Sequence, residues 1–133
     1  MTIHVDWDTK LSDTIYWDFE LRWTWDQFFT AYAREESLTS ALNQSRYDTI
    51  AVFKSAYVPL GNAIGNVFRV LEKRRRRGCV MVVICTQSLF LVSMMNTLKR
   101  LHPHLSDTFV AVQTLDEGYL AIEESRKKAS AVG

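Results

Sequence analysis

An α/β fold on a mixed sheet of about five strands follows from three features of the sequence. Short runs of strand length, apolar or alternating, recur between longer segments of helical period. The first two runs are separated only by turn residues, whereas each later pair is separated by enough chain for a helix. Two of the later runs are apolar without alternation, as expected of central parallel strands covered on both faces. The order is β-β-α-β-α-β-α-β-α in a single domain over residues 1–133.

Ile3-His4-Val5-Asp6-Trp7 alternates weakly and predicts a short edge strand, and Asp8 to Asp13 supply turn chemistry. Ile15, Trp17, Phe19 and Leu21 alternate with Tyr16, Asp18, Glu20 and Arg22, so the second strand has one buried and one wet face and pairs with the first as an antiparallel hairpin. Thr24 and Gln27 form a capping box ahead of a helix that packs Trp25, Phe28, Phe29, Tyr32 and Ala33 on the sheet. Ser37, Thr39, Ser40 and Asn43 weaken it before Tyr47.

Thr49 to Phe53 and Cys79 to Cys85 are the two continuous apolar strands; between them a loop, Lys54 to Gly61, leads into a helix through Phe68 and Leu71. Thr86-Gln87-Ser88 opens a third helix with Leu91, Met94, Met95, Leu98 and Leu101 inward, and His102-Pro103 ends it. Phe109 to Val112 is the last strand. Thr114 with Glu117 caps a final helix that carries Leu120 and Ile122 and frays into Ser125-Arg126-Lys127-Lys128.

At 133 residues the chain can bury one core without disulfide or metal staples. No apolar window reaches the roughly 18 residues of a membrane span, and Met1-Thr2-Ile3-His4-Val5-Asp6 does not read as a signal peptide, so a cytoplasmic protein without membrane insertion is expected. Cys79 and Cys85 are expected on the same face of one strand, about 20 Å apart and unable to pair, as buried free thiols.

Net charge is +1, but residues 1–66 hold 5 basic and 9 acidic side chains and residues 67–133 hold 11 and 6. Lys73-Arg74-Arg75-Arg76-Arg77 accounts for most of that excess. Clustered arginines can neutralise phosphates, yet this run closes a helix, where the macrodipole favours cations, precedes Gly78 and lacks interleaved aromatics. Nucleic-acid binding is therefore not expected.

The order of elements, the stretch DTIYWDFELRWTWDQF and the strand-loop-helix TIAVFKSAYVPLGNAIGNVF resemble the SpoIIAA-like, or STAS-like, family of small bacterial domains over nearly the whole chain. The resemblance implies a non-enzymatic protein-interaction domain in bacterial regulation, docking through the loop after the third strand and the helix behind it. Antagonist members carry a phosphorylatable serine at that helix start. Here the matching place holds Asn62-Ala63, with no Ser or Thr between Ala56 and Arg69, so that switch does not carry over.

An open α/β sheet binds ligands beyond the carboxyl ends of its parallel strands. That rule gathers Lys54, Ser55, Tyr57, Thr86, Gln87, Ser88, Gln113 and Thr114 at one edge with two helix N-termini that could hold an anion; Asn62 joins them as a partner-facing residue at the head of the second helix. Ser55, Thr86, Ser88 and Thr114 equally serve as caps and turn residues. A crevice filled by Tyr57 favours docking of a protein, a second copy of the chain included; an open polar one favours a small molecule or anion, or an enzyme.

Gly61 to Asn66 lacks phosphate-loop spacing and reads as a tight turn. His102-Pro103-His104 lacks a third ligand, so no metal and no cofactor is expected. Asp6, Asp8, Asp18 and Asp26 read as structural, and no catalytic residue is assigned. Trp7, Trp17, Trp23 and Trp25 read as packing, with any exposed indole marking a partner surface, and Met94-Met95 as gap-filling or an adaptable docking face.

Overall fold

The computed structural model describes residues 3–42 and 46–132. Its strands are β1 (Ile3–Trp7), β2 (Thr14–Phe19), β3 (Tyr47–Phe53), β4 (Cys79–Cys85) and β5 (Phe109–Val112), and its helices α1 (Trp25–Thr39), α2 (Ala63–Arg76), α3 (Leu89–Leu101) and α4 (Leu115–Val132). Short 3₁₀ turns follow α1 and α3. The expected weakening at Asn43, and the start at Met1-Thr2, lie outside the described residues.

The five strands lie side by side in sequence order; β1 is antiparallel to β2, and β2 to β5 run parallel. Phe28 and Tyr32 of α1, Val70 and Leu71 of α2, and Met95 and Leu98 of α3 share one core with Trp17 and Phe19 on one face of the sheet. Tyr119 and Ile122 of α4 pack with Ile50, Val83 and Cys85 on the other. Gly118 permits that approach: a side chain there would start 3.0 Å from Cys85 Sγ and 3.2 Å from Val83 Cγ1.

The capping box of α1 is formed on both sides, with Thr24 Oγ1 accepting from Gln27 N–H and the Gln27 side chain accepting from Thr24 N–H. Elsewhere tertiary structure overrides local period. Leu21 is exposed because β2 ends at Phe19, and Ala33 is exposed because the inward stripe of α1 runs through Phe28, Ala31, Tyr32 and Glu35. Leu101 and Leu120 also face solvent; they lie beyond or beside the stripes of Leu91, Met95 and Leu98 and of Tyr119 and Ile122.

α4 does not fray at Ser125. Arg126 donates to Asp48 Oδ2 at 2.9 Å, to the carbonyls of Ser12 and Asp13 and to Thr14 Oγ1, which pins the helix across the β1–β2 turn. Cys79 and Cys85 lie on opposite faces, contrary to a regular strand. Tyr47 pairs with Cys79 and Asp48 with Met81, so Val80 is an extra residue that shifts the alternation. Asp48 Oδ1 takes the Met81 N–H at 3.1 Å there. Burial is the largest influence on Asp48 and raises its carboxyl pKa, against the lowering pull of Arg126.

Arg74 does more than close α2: it is only 5% exposed. Its Nε donates to Glu35 Oε2 at 3.0 Å, and Glu35, 0% exposed, also accepts from Trp17 Nε1 at 2.7 Å and Tyr47 Oη at 2.9 Å. The guanidinium lies 4.7 Å from the Trp17 ring centre. One carboxylate thus ties α1, α2, β2 and β3 together. Tyr32, also buried, has no hydrogen-bond partner for its hydroxyl among the described residues.

Arg74→Met strands the Glu35 carboxylate and is expected to cost about 3–5 kcal/mol in urea unfolding. Adding Glu35→Gln, which removes the stranded charge and keeps an acceptor, recovers part of that loss. Tyr47→Phe costs about 1–2 kcal/mol, whereas Tyr32→Phe changes stability by less than about 0.5 kcal/mol.

Candidate functional site

The carboxyl ends of β3, β4 and β5 open onto a cleft of about 570 Å³. Lys54, Ser55, Thr86 and Ser88 line it together with Gln87 and Gln113, as the strand-end rule expects. Tyr57 and Asn62 do not. Tyr57 turns toward Arg22, whose guanidinium lies 5.5 Å from its ring centre, and Asn62 is the α2 cap, its Oδ1 accepting from Gly65 N–H at 3.1 Å. The cleft is open and is not filled by Tyr57.

Most polar groups that reach the cleft already have partners. Lys54 Nζ lies 3.2 Å from Asp18. Ser55 Oγ donates to the Leu21 carbonyl at 3.0 Å and accepts from Tyr57 N–H at 3.3 Å, so it staples two loops. Thr86 is buried and its Oγ1 accepts from Ser88 N–H at 3.0 Å, while Ser88 Oγ caps α3 by accepting from Leu91 N–H at 3.2 Å. Thr114, just outside the lining, accepts from Glu117 N–H at 3.2 Å. The hydroxyls therefore hold the backbone of this edge in shape, which leaves the side-chain amides of Gln87 and Gln113 as exposed polar groups over the cleft.

Cys85 lies at the cleft and Cys79 in the other layer, and both are buried free thiols. Burial pushes Cys79 up to about 12, with Glu35 adding to the shift, and pushes Cys85 up to about 11, with Glu117 adding. Neither is a thiolate at neutral pH, so neither has the character of a nucleophile.

Large apolar side chains are also exposed on the segments that flank the cleft. Leu60 is 97% exposed and Leu89 84%, and Phe90 and Leu21 are also exposed. Trp25 Nε1 donates to the Leu60 carbonyl at 3.1 Å, fixing the loop after β3 over the start of α1. Gly61 follows with φ +121°, and a side chain there would meet the Trp25 indole at 3.4 Å. Beyond it, a groove of about 470 Å³ runs between the starts of α2 and α3, walled by Ile64, Phe90 and Met94. Leu60, Leu89 and Phe90 were not singled out from the sequence. The signal was present: an inward stripe through Leu91, Met95 and Leu98 leaves positions 89 and 90 outside. Of the methionine pair, Met95 is core and Met94 lines the groove.

The remaining candidates resolve into structure. Arg74 is buried and Arg77 donates to the Glu36 carbonyl at 3.0 Å, so two of the four consecutive arginines point inward. His102 stacks on Phe68 with ring centres 3.8 Å apart, His104 bonds Glu72, and no group of side chains able to hold a metal occurs among the described residues. The His104 bond is the largest influence on Glu72 and lowers its carboxyl pKa. Asp8 accepts from the N–H groups of Lys10 and Leu11 and from Tyr119 Oη. Trp17 and Trp23 are buried, and Trp7 and Trp25 are half-buried against the core. No helix among the described residues is long and apolar enough to cross a membrane.

Comparison with known proteins finds no matching family model, no matching curated protein and no matching solved structure.

At pH 8 neither thiol is expected to react with iodoacetamide until urea unfolds the chain; rapid modification of the native protein contradicts this. In the unfolded chain both thiols ionise near their ordinary 9.0, while the folded ones keep their protons to about 12 and about 11. Stability therefore falls as pH rises from about 9 toward 11 and is insensitive to these groups below that window. Urea midpoints taken across it test the sign, and Cys85→Ala makes the decline shallower.

Proposed function

We propose that this protein is a non-enzymatic interaction domain of STAS-like type that acts in bacterial regulation in the cytoplasm, docking a protein partner through the loop after β3 and the starts of α2 and α3. The observation that carries the reading is the exposed set Leu60, Leu89 and Phe90 at that place. Monomer surfaces rarely leave large apolar side chains grouped at one edge without a partner. The order β-β-α-β-α-β-α-β-α is the one the STAS-like resemblance implies, and the cleft hydroxyls are committed to caps and loop staples.

The phosphorylation switch of antagonist members has no hydroxyl to act on here. Asn62 caps α2, and no Ser or Thr lies between Ala56 and Arg69. Association is governed by the availability of the partner and not by modification of that helix start.

A second reading, a small-molecule or anion binder, rests on one observation: the cleft of about 570 Å³ is open, with Tyr57 outside it. Two helix N-termini flank it, but Lys54 is neutralised by Asp18.

Affinity capture from a lysate of the source cells separates the two. The docking reading expects a specific partner or a second copy of the chain, lost in Leu60→Asp and in Phe90→Asp and retained in Leu120→Asp, whose site is on α4. Equal capture by all three variants contradicts it. A saturable thermal shift with nucleotides, acyl ligands or phosphate, abolished by Lys54→Ala, replaces it with the second reading.

A further inference from the structure

We infer that the free edge of β5 pairs with the same edge of a second copy of this chain, antiparallel and about a two-fold axis at Ala111, so that two five-stranded sheets join into one. Leu60 and Phe90 take no part in this contact.

The hydrogen bonds of β5 show which of its groups are spare. Val82 N–H donates to the Thr108 carbonyl at 2.8 Å and Thr86 N–H to the Val112 carbonyl at 2.9 Å. A planar trans peptide points its N–H opposite to its carbonyl, so the N–H groups of Phe109 and Gln113 face away from β4. Alternation along the ladder adds the Phe109 carbonyl and both backbone groups of Ala111. None of these has a hydrogen-bond partner among the described residues.

The opposite edge of the sheet differs. On β1, Arg34 Nε donates to the Val5 carbonyl at 3.4 Å and Asp6 Oδ1 accepts from Trp7 N–H at 2.8 Å, so side chains blunt that edge. At β5 the flanks are bare as well. Val110 and Val112 lie in register with Val83 and Cys85 of β4, which are buried, yet are themselves only half-buried. A hollow of about 480 Å³ adjoins the strand, with Lys99 on the α3 side and Ala121 and Lys128 on the α4 side. The Lys99 ammonium lies over the Phe109 ring, 5.2 Å from its centre, and not outstretched across the edge as a guarding lysine would be.

Read antiparallel against itself about Ala111, β5 is its own complement. Ala111 meets the second copy's Ala111 in a doubly bonded pair, and each Gln113 N–H reaches the opposite Phe109 carbonyl, giving about four backbone hydrogen bonds. On the face that carries α4, each Val110 stands across from the other copy's Val112, which covers the half-buried valines with their own kind. A foreign extended peptide would satisfy the same backbone groups but present a new bare edge on its outer side. A second copy instead ends the joined sheet on two β1 edges, both already blunted.

Sedimentation equilibrium of the full chain is expected to give the mass of two chains at micromolar concentration. Ala111→Pro removes only an outward N–H, spares the bonds to β4, and is expected to weaken self-association at least about tenfold. Leu60→Asp and Phe90→Asp associate as the parent does. Amide exchange reads the pairing without a substitution: Phe109, Ala111 and Gln113 slow as the native chain is concentrated, and they decide the matter should Ala111→Pro fail to fold. A single-chain mass with fast exchange at Ala111 throughout, a dimer that survives Ala111→Pro, or one lost instead in Phe90→Asp overturns the pairing. So does protection of Ala111 that appears only on adding an alternating Thr-Val peptide, which assigns the edge to a foreign strand. None of these outcomes alone removes the docking reading, whose variants lie at another edge.

Discussion

The arrangement depends on one constraint: four parallel strands laid down in sequence order, each joined to its immediate neighbour by a crossover of the same hand. Three such crossovers stack α1, α2 and α3 on one face of the sheet, and α4, with no further strand to reach, folds back over the other. The consequences are unequal layers. The three-helix face holds most of the aromatic core, and the other is covered by a single helix. Neighbouring strands also make neighbouring helices, so α2 and α3 meet along a groove whose upper end lies at the same edge as the strand-end cleft.

Two buried carboxylates secure these layers from opposite faces. Glu35, with Arg74, Tyr47 and Trp17, fixes α1 and α2 to the sheet; Asp48, with Arg126 and the Met81 N–H, fixes α4 and satisfies the irregularity in β4. Ion pairs taken out of water seldom add much net stability, but leaving either member alone is costly. They favour one arrangement of helices over near alternatives. The edge that carries Leu60 and Phe90 is thereby held on a frame whose strong interactions lie elsewhere.

Much of the fold was legible because it is written in local patterns. The alternation of Ile15, Trp17 and Phe19, the unbroken runs ending at Phe53 and Cys85, and the Thr24–Gln27 box correspond to the observed elements. What local pattern cannot carry is where a strand stops, where a residue is inserted, and which distant charge a side chain will meet. Leu21 continued the alternation beyond the end of β2. Val80 broke a run that reads as regular and sent Cys79 and Cys85 to opposite faces. Arg74 lay in a run of cations that reads as a helix end, yet its partner is 39 residues away. The strand-end rule brought Lys54, Ser55, Thr86 and Ser88 together because it depends only on sheet direction. It failed for Tyr57, whose direction is set by the path of a loop, and Asn62, expected from the family resemblance at the head of α2, is that helix's cap and lies outside the cleft.

The exposed edge requires α2 and α3 to lie side by side on the face that α4 does not share. A nuclear Overhauser spectrum tests this most directly. It should contain strong cross-peaks between the rings of Phe68 and His102, 3.8 Å apart, and between Tyr119 or Ile122 and Val83, with none between Tyr119 and Trp17. Cross-peaks joining Tyr119 to Trp17 or Phe28, with none between Phe68 and His102, would place the helices differently and remove the groove.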